Sequence, residues 1–120
     1  MGYLSREVFL AAASRLPRKT LQFDDLGGEV IVQGLTGAQR DDFEQWMFRS
    51  RTKNKDVNLQ NIRARLVSLC LIDEDGQRLV GSVEDLGSIR ADVLERLFDE
   101  ARRLSGMTQE DVDELGKPLP

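Results

Sequence analysis

The stretch from Leu26 to Met47, LGGEVIVQGLTGAQRDDFEQWM, constrains the fold more than any other part of the chain. Gly27 and Gly28 suit a tight turn, because neither carries a Cβ that penalises positive φ. Val30, Ile31 and Val32 are stiff at χ1 and favour an extended strand directly after that turn. Gly34-Leu35-Thr36-Gly37 then forms a corner. Thr36 and Gln39 have the spacing of a capping box, in which each side chain satisfies an orphan backbone N–H at a helix start. Phe43, Trp46 and Met47 follow at i, i+3 and i+4, which lays one apolar stripe along that helix. Hairpin, corner and amphipathic helix are expected in that order.

The flanking elements follow from the same rules. Ser5 is a good N-cap for a first helix, and Leu4 and Phe9 have hydrophobic-staple spacing. Phe9, Ala12, Ala13 and Leu16 give that helix an apolar edge before Pro17 stops it. Arg18 to Phe23, with Leu21 and Phe23 at strand spacing, forms the first hairpin arm; Asp24 to Gly28 is the turn and Glu29 to Gln33 the return. A lone two-stranded ribbon is marginal in water, so this hairpin must lie on helices or pair with another chain. The Thr36 helix is expected to end near Ser50, and RSRTKNKD at 49–56 reads as a mobile solvated loop. Asn58 caps the next helix, whose narrow seam is Leu59, Ile62, Leu66 and Leu69 with Cys70 beside it. Arg63 and Arg65 lie off that seam and are expected to face water. The helix ends near Leu71, Asp73 to Gly76 is a turn, and Gln77 to Val80 is a short extended return.

Ser82 and Asp85 have capping-box spacing for a short helix that Gly87 ends. Ser88 opens the longest clean helix, with Ile89, Val93, Leu97, Ala101 and Leu104 on one face, flanked by Leu94 and Phe98. Arg102 and Arg103 sit in its last turn, where the helix dipole favours cations, and Gly106 is a natural C′ residue. Thr108 with Asp111 starts one more short helix. The expected fold is α+β, mostly α: four to five helices with a small N-terminal β-hairpin at about 18–33. It forms one domain over residues 1–115, followed by a flexible tail at 116–120.

Composition narrows the function. A chain of 120 residues that is 40% hydrophobic and 32% charged suits one soluble domain. It has no run near the roughly 18 apolar residues a membrane span needs. The apolar run from Val8 to Ala13 is too short for a signal peptide and follows Arg6 and Glu7 directly. Histidine is absent, which removes the commonest general base and metal ligand. The lone Cys70 forbids an internal disulfide and fits a reducing cytoplasm as a buried, inert thiol. Of the 21 carboxylates, Asp24-Asp25, Asp41-Asp42 and Asp111 to Glu114 are expected in turns or on polar helix faces, and no apolar pocket pattern accompanies them that would make an acid–base pair. The acidic turn at 73–76 fails the register of a calcium-binding loop. No catalytic, cofactor or metal site is expected, and no enzyme.

Two features point to partners instead. Residues 1–70 carry 11 Lys+Arg against 8 Asp+Glu, whereas residues 71–120 carry 6 against 13, so a basic front (+3) precedes an acidic back (−7). Head-to-tail association of copies is one consequence; two solvated faces of one molecule are the simpler one. Phe43, Trp46 and Met47 are the candidate partner-binding residues, although the same spacing serves a core. The basic run at 49–55 lacks the interleaved aromatics of a nucleic-acid surface, so nucleic acid is not an expected partner.

Several segments recur together in one family: the Gly27-Gly28-Glu29-Val30 hairpin arm, the Gly34-Leu35-Thr36-Gly37 corner, and the helix start Arg40-Asp41-Asp42-Phe43-Glu44. Ala64-Arg65-Leu66-Val67 leading into Leu71-Ile72-Asp73-Glu74-Asp75-Gly76, and Leu104-Ser105-Gly106 before a short acidic helix, complete the set. In this order and spacing the chain resembles the tail assembly chaperones of long-tailed, siphovirus-type bacteriophages, in particular those of Gram-positive hosts. The resemblance spans about residues 5–115 and contains no catalytic signature. It implies a non-enzymatic protein of the host cytoplasm that self-associates and coats the tape measure protein before the tail tube polymerises. It further implies absence from the finished virion, a longer product made by ribosomal frameshifting, and the major tail tube protein as an additional partner. Two other readings stay open: a structural tail or head-completion subunit retained in the virion, and a cytoplasmic RNA-binding accessory protein using residues 49–55.

Overall fold

The computed structural model describes residues 2–53, 59–108 and 110, and their fold is α+β, mostly α. Among the described residues the helices are α1 (Arg6–Ala13), α2 (Gly37–Lys53), α3 (Leu59–Cys70), α4 (Val83–Gly87) and α5 (Ala91–Leu104). The strands are β1 (Arg18–Phe23), β2 (Gly28–Gln33) and β3 (Leu71–Ile72), in one antiparallel sheet of order β1-β2-β3.

The expected hairpin forms, with Arg18 opposite Gln33 and Phe23 opposite Gly28. Its turn is one 3-10 turn over Asp24–Leu26, closed by Gly27 at φ 83°, whose amide donates to the Phe23 carbonyl at 3.0 Å. Alternation puts Leu21, Phe23 and Val32 into the core. The partner that a two-stranded ribbon needs comes from the chain itself: Ile31 pairs with Ile72 and Val32 with Leu71. α3 ends at Cys70, as expected near Leu71, and Leu71 opens a strand, β3, not expected from the sequence. The edge of β2 offers ladder hydrogen bonds there, a gain invisible to any local propensity. Beyond β3 the chain doubles back. Asp73 Oδ1 accepts from the Asp75 and Gln77 amides at 2.9 and 3.0 Å, Gly76 takes φ 83°, and the extended return reduces to one bridge between Ile72 and Arg78.

α3 is the centre of the core. Ile62, Ala64, Leu66, Val67, Ser68 and Cys70 are all buried, so its apolar surface is wider than the predicted seam. The reason is that α4 and α5 both pack against it. Val93, Leu94, Leu97, Phe98 and Ala101 of α5 are buried in the same cluster, with Leu104 half-buried beside them. α5 begins at Ala91 rather than Ser88, because Ser88 terminates α4: its amide donates to the Asp85 carbonyl at 3.2 Å and its hydroxyl to the Glu84 carbonyl at 3.0 Å. Ile89 therefore lies outside the helix and is exposed. The other end agrees with the sequence. Gly106 takes φ 73°, its amide donates to Arg103 at 3.2 Å, and the Met107 amide donates to Arg102 at 3.0 Å, both bonds of a Schellman motif. At Gly34 a Cβ would lie 2.5 Å from the Leu104 carbonyl oxygen, so only glycine lets the hairpin exit approach the end of α5.

α2 runs to Lys53, so Arg49, Arg51 and Lys53 belong to its last turns and not to the expected loop. Residues 54–58, with the expected Asn58 cap, lie outside the described residues, as do residue 109 and residues 111–120, which hold most of the short helix expected to start at Thr108 with Asp111, the domain boundary at 115 and the tail at 116–120.

α1 departs furthest from expectation. Ser5 does cap it, accepting from the Val8 amide at 3.2 Å. The helix ends at Ser14 instead of running to Pro17, with the Ser14 amide donating to Leu10. None of its residues is buried, and the expected apolar edge stays largely open: Phe9 is 53% exposed, and Ala12 and Ala13 are exposed too. Only Leu16, beyond the helix, is half-buried. No helix among the described residues is long and apolar enough to cross a membrane.

Candidate partner-binding surface

The capping box positions α2. The Thr36 amide donates to Gln39 Oε1 at 2.9 Å and the Gln39 amide to Thr36 Oγ1 at 3.1 Å, which fixes where the helix starts and which face turns inward. That face brings the three candidate residues together: Phe43 and Trp46 stack with ring centroids 6.4 Å apart, and Met47 lies one turn beyond Phe43. Phe43 and Met47 are buried in the chain's own core, 1% and 0% exposed. Trp46 is half-buried and packs against that core from outside. Phe43 and Met47 thus support the surface from below, and Trp46 alone of the three reaches it.

The surface around Trp46 belongs to arginines. Arg65, expected to face water, lays its guanidinium over the Trp46 ring at 5.3 Å, and Arg63 covers Phe98 at 5.8 Å. Both are half-buried, with Nε sealed from solvent, because a guanidinium can stack flat on an aromatic face while its stem packs on apolar surface. Arg96 does the same at the hairpin, 4.5 Å from the Phe23 ring, and donates to the Gln22 carbonyl at 2.8 Å. These stacks were not legible beforehand, since each joins residues from different elements.

Three further features complete the inventory. A cleft of about 460 Å³ between β1 and α5 is lined by Leu21, Glu95, Arg96, Asp99, Glu100, Arg102 and Arg103. Its three carboxylates and three guanidiniums balance, and Arg103 pairs with Glu100, so it presents no net field to a charged ligand. At another corner Arg90 bridges Asp25 at 2.5 Å and Asp92 at 2.6 Å, tying the hairpin turn to the start of α5. Hydrogen bonds from Arg90 hold both carboxyls below their ordinary range, and the Glu84 carboxyl nearby is lowered by its own backbone amide and then by Ser82. Cys70 is buried beside the Ser105 hydroxyl at 3.8 Å, and burial pushes its thiol up to about 11, which keeps it protonated and unreactive near neutral pH.

Phe48 of α2 is 56% exposed and Leu79 is 48% exposed; the other large exposed apolar side chains form two groups elsewhere. Tyr3, Leu4, Val8, Phe9 and Leu10, in and before α1, are 108%, 64%, 53%, 53% and 44% exposed. Leu26 and Ile89, beside the Arg90 bridge, are 54% and 37% exposed. The sequence did hold a signal for the first group. Val8 to Ala13 is apolar at six consecutive positions, so a helix there has no polar side and must be covered all round. Compared with known proteins, the chain matches no family model, no curated protein and no solved structure.

Proposed function

We propose that this chain is a non-enzymatic assembly chaperone of a phage tail, which self-associates and coats the tape measure protein before the tail tube polymerises. In this reading it acts in the cytoplasm of the bacterial host and is left out of the finished virion. The order and spacing of the segments quoted above motivate the choice of family. The observation that supports a role by association is α1, in which the six residues after Arg6 and Glu7 are all apolar and no residue is buried. An isolated helix of that length is marginal in water, so its apolar surface is best explained as a contact awaiting a partner. The Trp46–Arg65 surface between α2 and α3 is the proposed contact for the helical tape measure protein, with the amphipathic stem of Arg65 and the indole forming its floor.

The test is co-expression with the tape measure protein of the same genome, reading that protein's soluble yield and the copies of this chain that co-purify. A soluble complex with several copies per tape measure protein supports the proposal. No complex and no gain in solubility refutes it and favours a structural subunit, which purified virions would then contain.

A further inference from the structure

Helix α1 is capped correctly yet buries nothing, and the same molecule presents a second surface that matches it in polarity and charge. The corner where the hairpin turn meets the α4–α5 connection exposes Leu26 and Ile89 on either side of the Asp25–Arg90 bridge. Five carboxylates belong to this corner: Asp24, Asp25, Glu84, Asp85 and Asp92. Two cations stand against them: Arg90, held by Asp25 and Asp92, and Arg96, stacked on Phe23 and bonded to the Gln22 carbonyl, which leaves the corner acidic. The arm is the opposite. Residues 2–19 carry Arg6, Arg15, Arg18 and Lys19 against Glu7 alone, a balance of +3 around five exposed apolar side chains.

We infer that α1 of one copy docks on the acidic corner of a second copy, its exposed apolar residues covering Leu26 and Ile89 while Arg6 and the following Arg15 face the carboxylate rim. This rests on the self-association part of the function proposed above and names the two surfaces that perform it. With aromatic side chains at ~150–250 Å² each and aliphatic ones somewhat less, the five arm residues expose about 600 Å². Val8, Phe9 and Leu10 point to different sides of α1, so an arm and the surface it covers would bury at most roughly 1,200 Å², and two reciprocal arms at most roughly twice that, against the ~1,600 Å² of an ordinary stable interface. Because arm and corner are different surfaces, the contact closes as a reciprocal dimer or continues head to tail. Opposite charge across it makes assembly weaken as salt rises.

Sedimentation velocity on the chain alone, without any tape measure protein, tests this separately from client binding. The wild type is expected to associate, and to do so less at high salt. Phe9→Asp on the arm and Ile89→Glu on the corner should each weaken association by about tenfold or more. An equimolar mixture of the two variants should form mixed dimers, because one supplies an intact corner and the other an intact arm. Both positions are exposed, so thermal unfolding of each variant should match the wild type; should either unfold early, Leu10→Asp and Leu26→Glu replace them. A wild type that stays monomeric, a variant that associates like the wild type, or a mixture without mixed dimers where the wild type assembles would each overturn the docking.

Discussion

Helices α1 and α5 begin from similar sequence logic and end in opposite places. Each holds five or more apolar side chains and opens with an acidic residue in its first turn. α5 segregates its apolar residues to one stripe and sinks Val93, Leu94, Leu97, Phe98 and Ala101 against α3 and β2. α1 runs six apolar residues in succession after Arg6 and Glu7, and among the described residues none of them is buried. A stripe can be satisfied by one neighbouring surface, which the same chain can supply. A helix whose apolar residues run round it needs cover on more than one side, which the other described elements do not give. The difference separates a part of the molecule held in the core from a part that stays open on the surface.

The largest test of that contrast is the same substitution in both helices. Phe98→Ala removes a ring 2% exposed and the platform under Arg63, and should cost about 3–5 kcal/mol in urea denaturation. Phe9→Ala, in a helix with no buried residue, should stay within about 0.5 kcal/mol of the wild type. A large loss from Phe9→Ala under monomeric conditions would mean that the arm folds onto its own body.

Gly34→Ala comes next. Its Cβ would meet the Leu104 carbonyl at 2.5 Å, main chain against main chain, so either the hairpin exit or the end of α5 must move. A loss of about 1–3 kcal/mol is expected. Gly37→Ala, where nothing lies within 4 Å of the new methyl, is the control and should cost nothing measurable.

The caps give a finer comparison. Thr36→Ala removes one half of a reciprocal pair that starts α2 on the core, and should lower global stability by about 1 kcal/mol. Ser5→Ala removes the cap of α1, and should reduce helical circular dichroism while leaving the cooperative unfolding of the body unchanged. Equal effects of the two on the unfolding midpoint would dissolve the distinction between arm and body.

The smallest effect is that of acid on the corner. Arg90 holds Asp25 and Asp92 below their ordinary 3.8, so the folded chain binds protons there less readily than the unfolded chain. Their contribution is fully present above 3.8 and is lost as pH falls through the lowered values. The melting temperature should therefore drop below about pH 4, and Arg90→Gln should make that part of the slope shallower. All three groups are exposed, so the change is modest and shrinks with salt.

Short-range chemistry was legible in the sequence wherever it involves residues three or four apart. The Ser5 cap, the Thr36–Gln39 capping box, the alternation of Leu21 and Phe23, the stripe of α5 and the left-handed Gly106 all depend on neighbours along the chain, and all are present. The candidate site was legible only in part: the stripe of Phe43, Trp46 and Met47 was visible, but which of them reaches the surface was not. Tertiary structure alone decided that Leu71 and Ile72 form a third strand, that Ser88 ends one helix instead of opening the next, and that Arg63 and Arg65 lie over aromatic rings. Each outcome turns on a surface supplied by residues far away in the chain: the free edge of β2, the rings of Phe98 and Trp46. The exposure of α1 belongs with them, since a local pattern states how much apolar surface a helix has, and only the folded body determines whether anything is there to cover it.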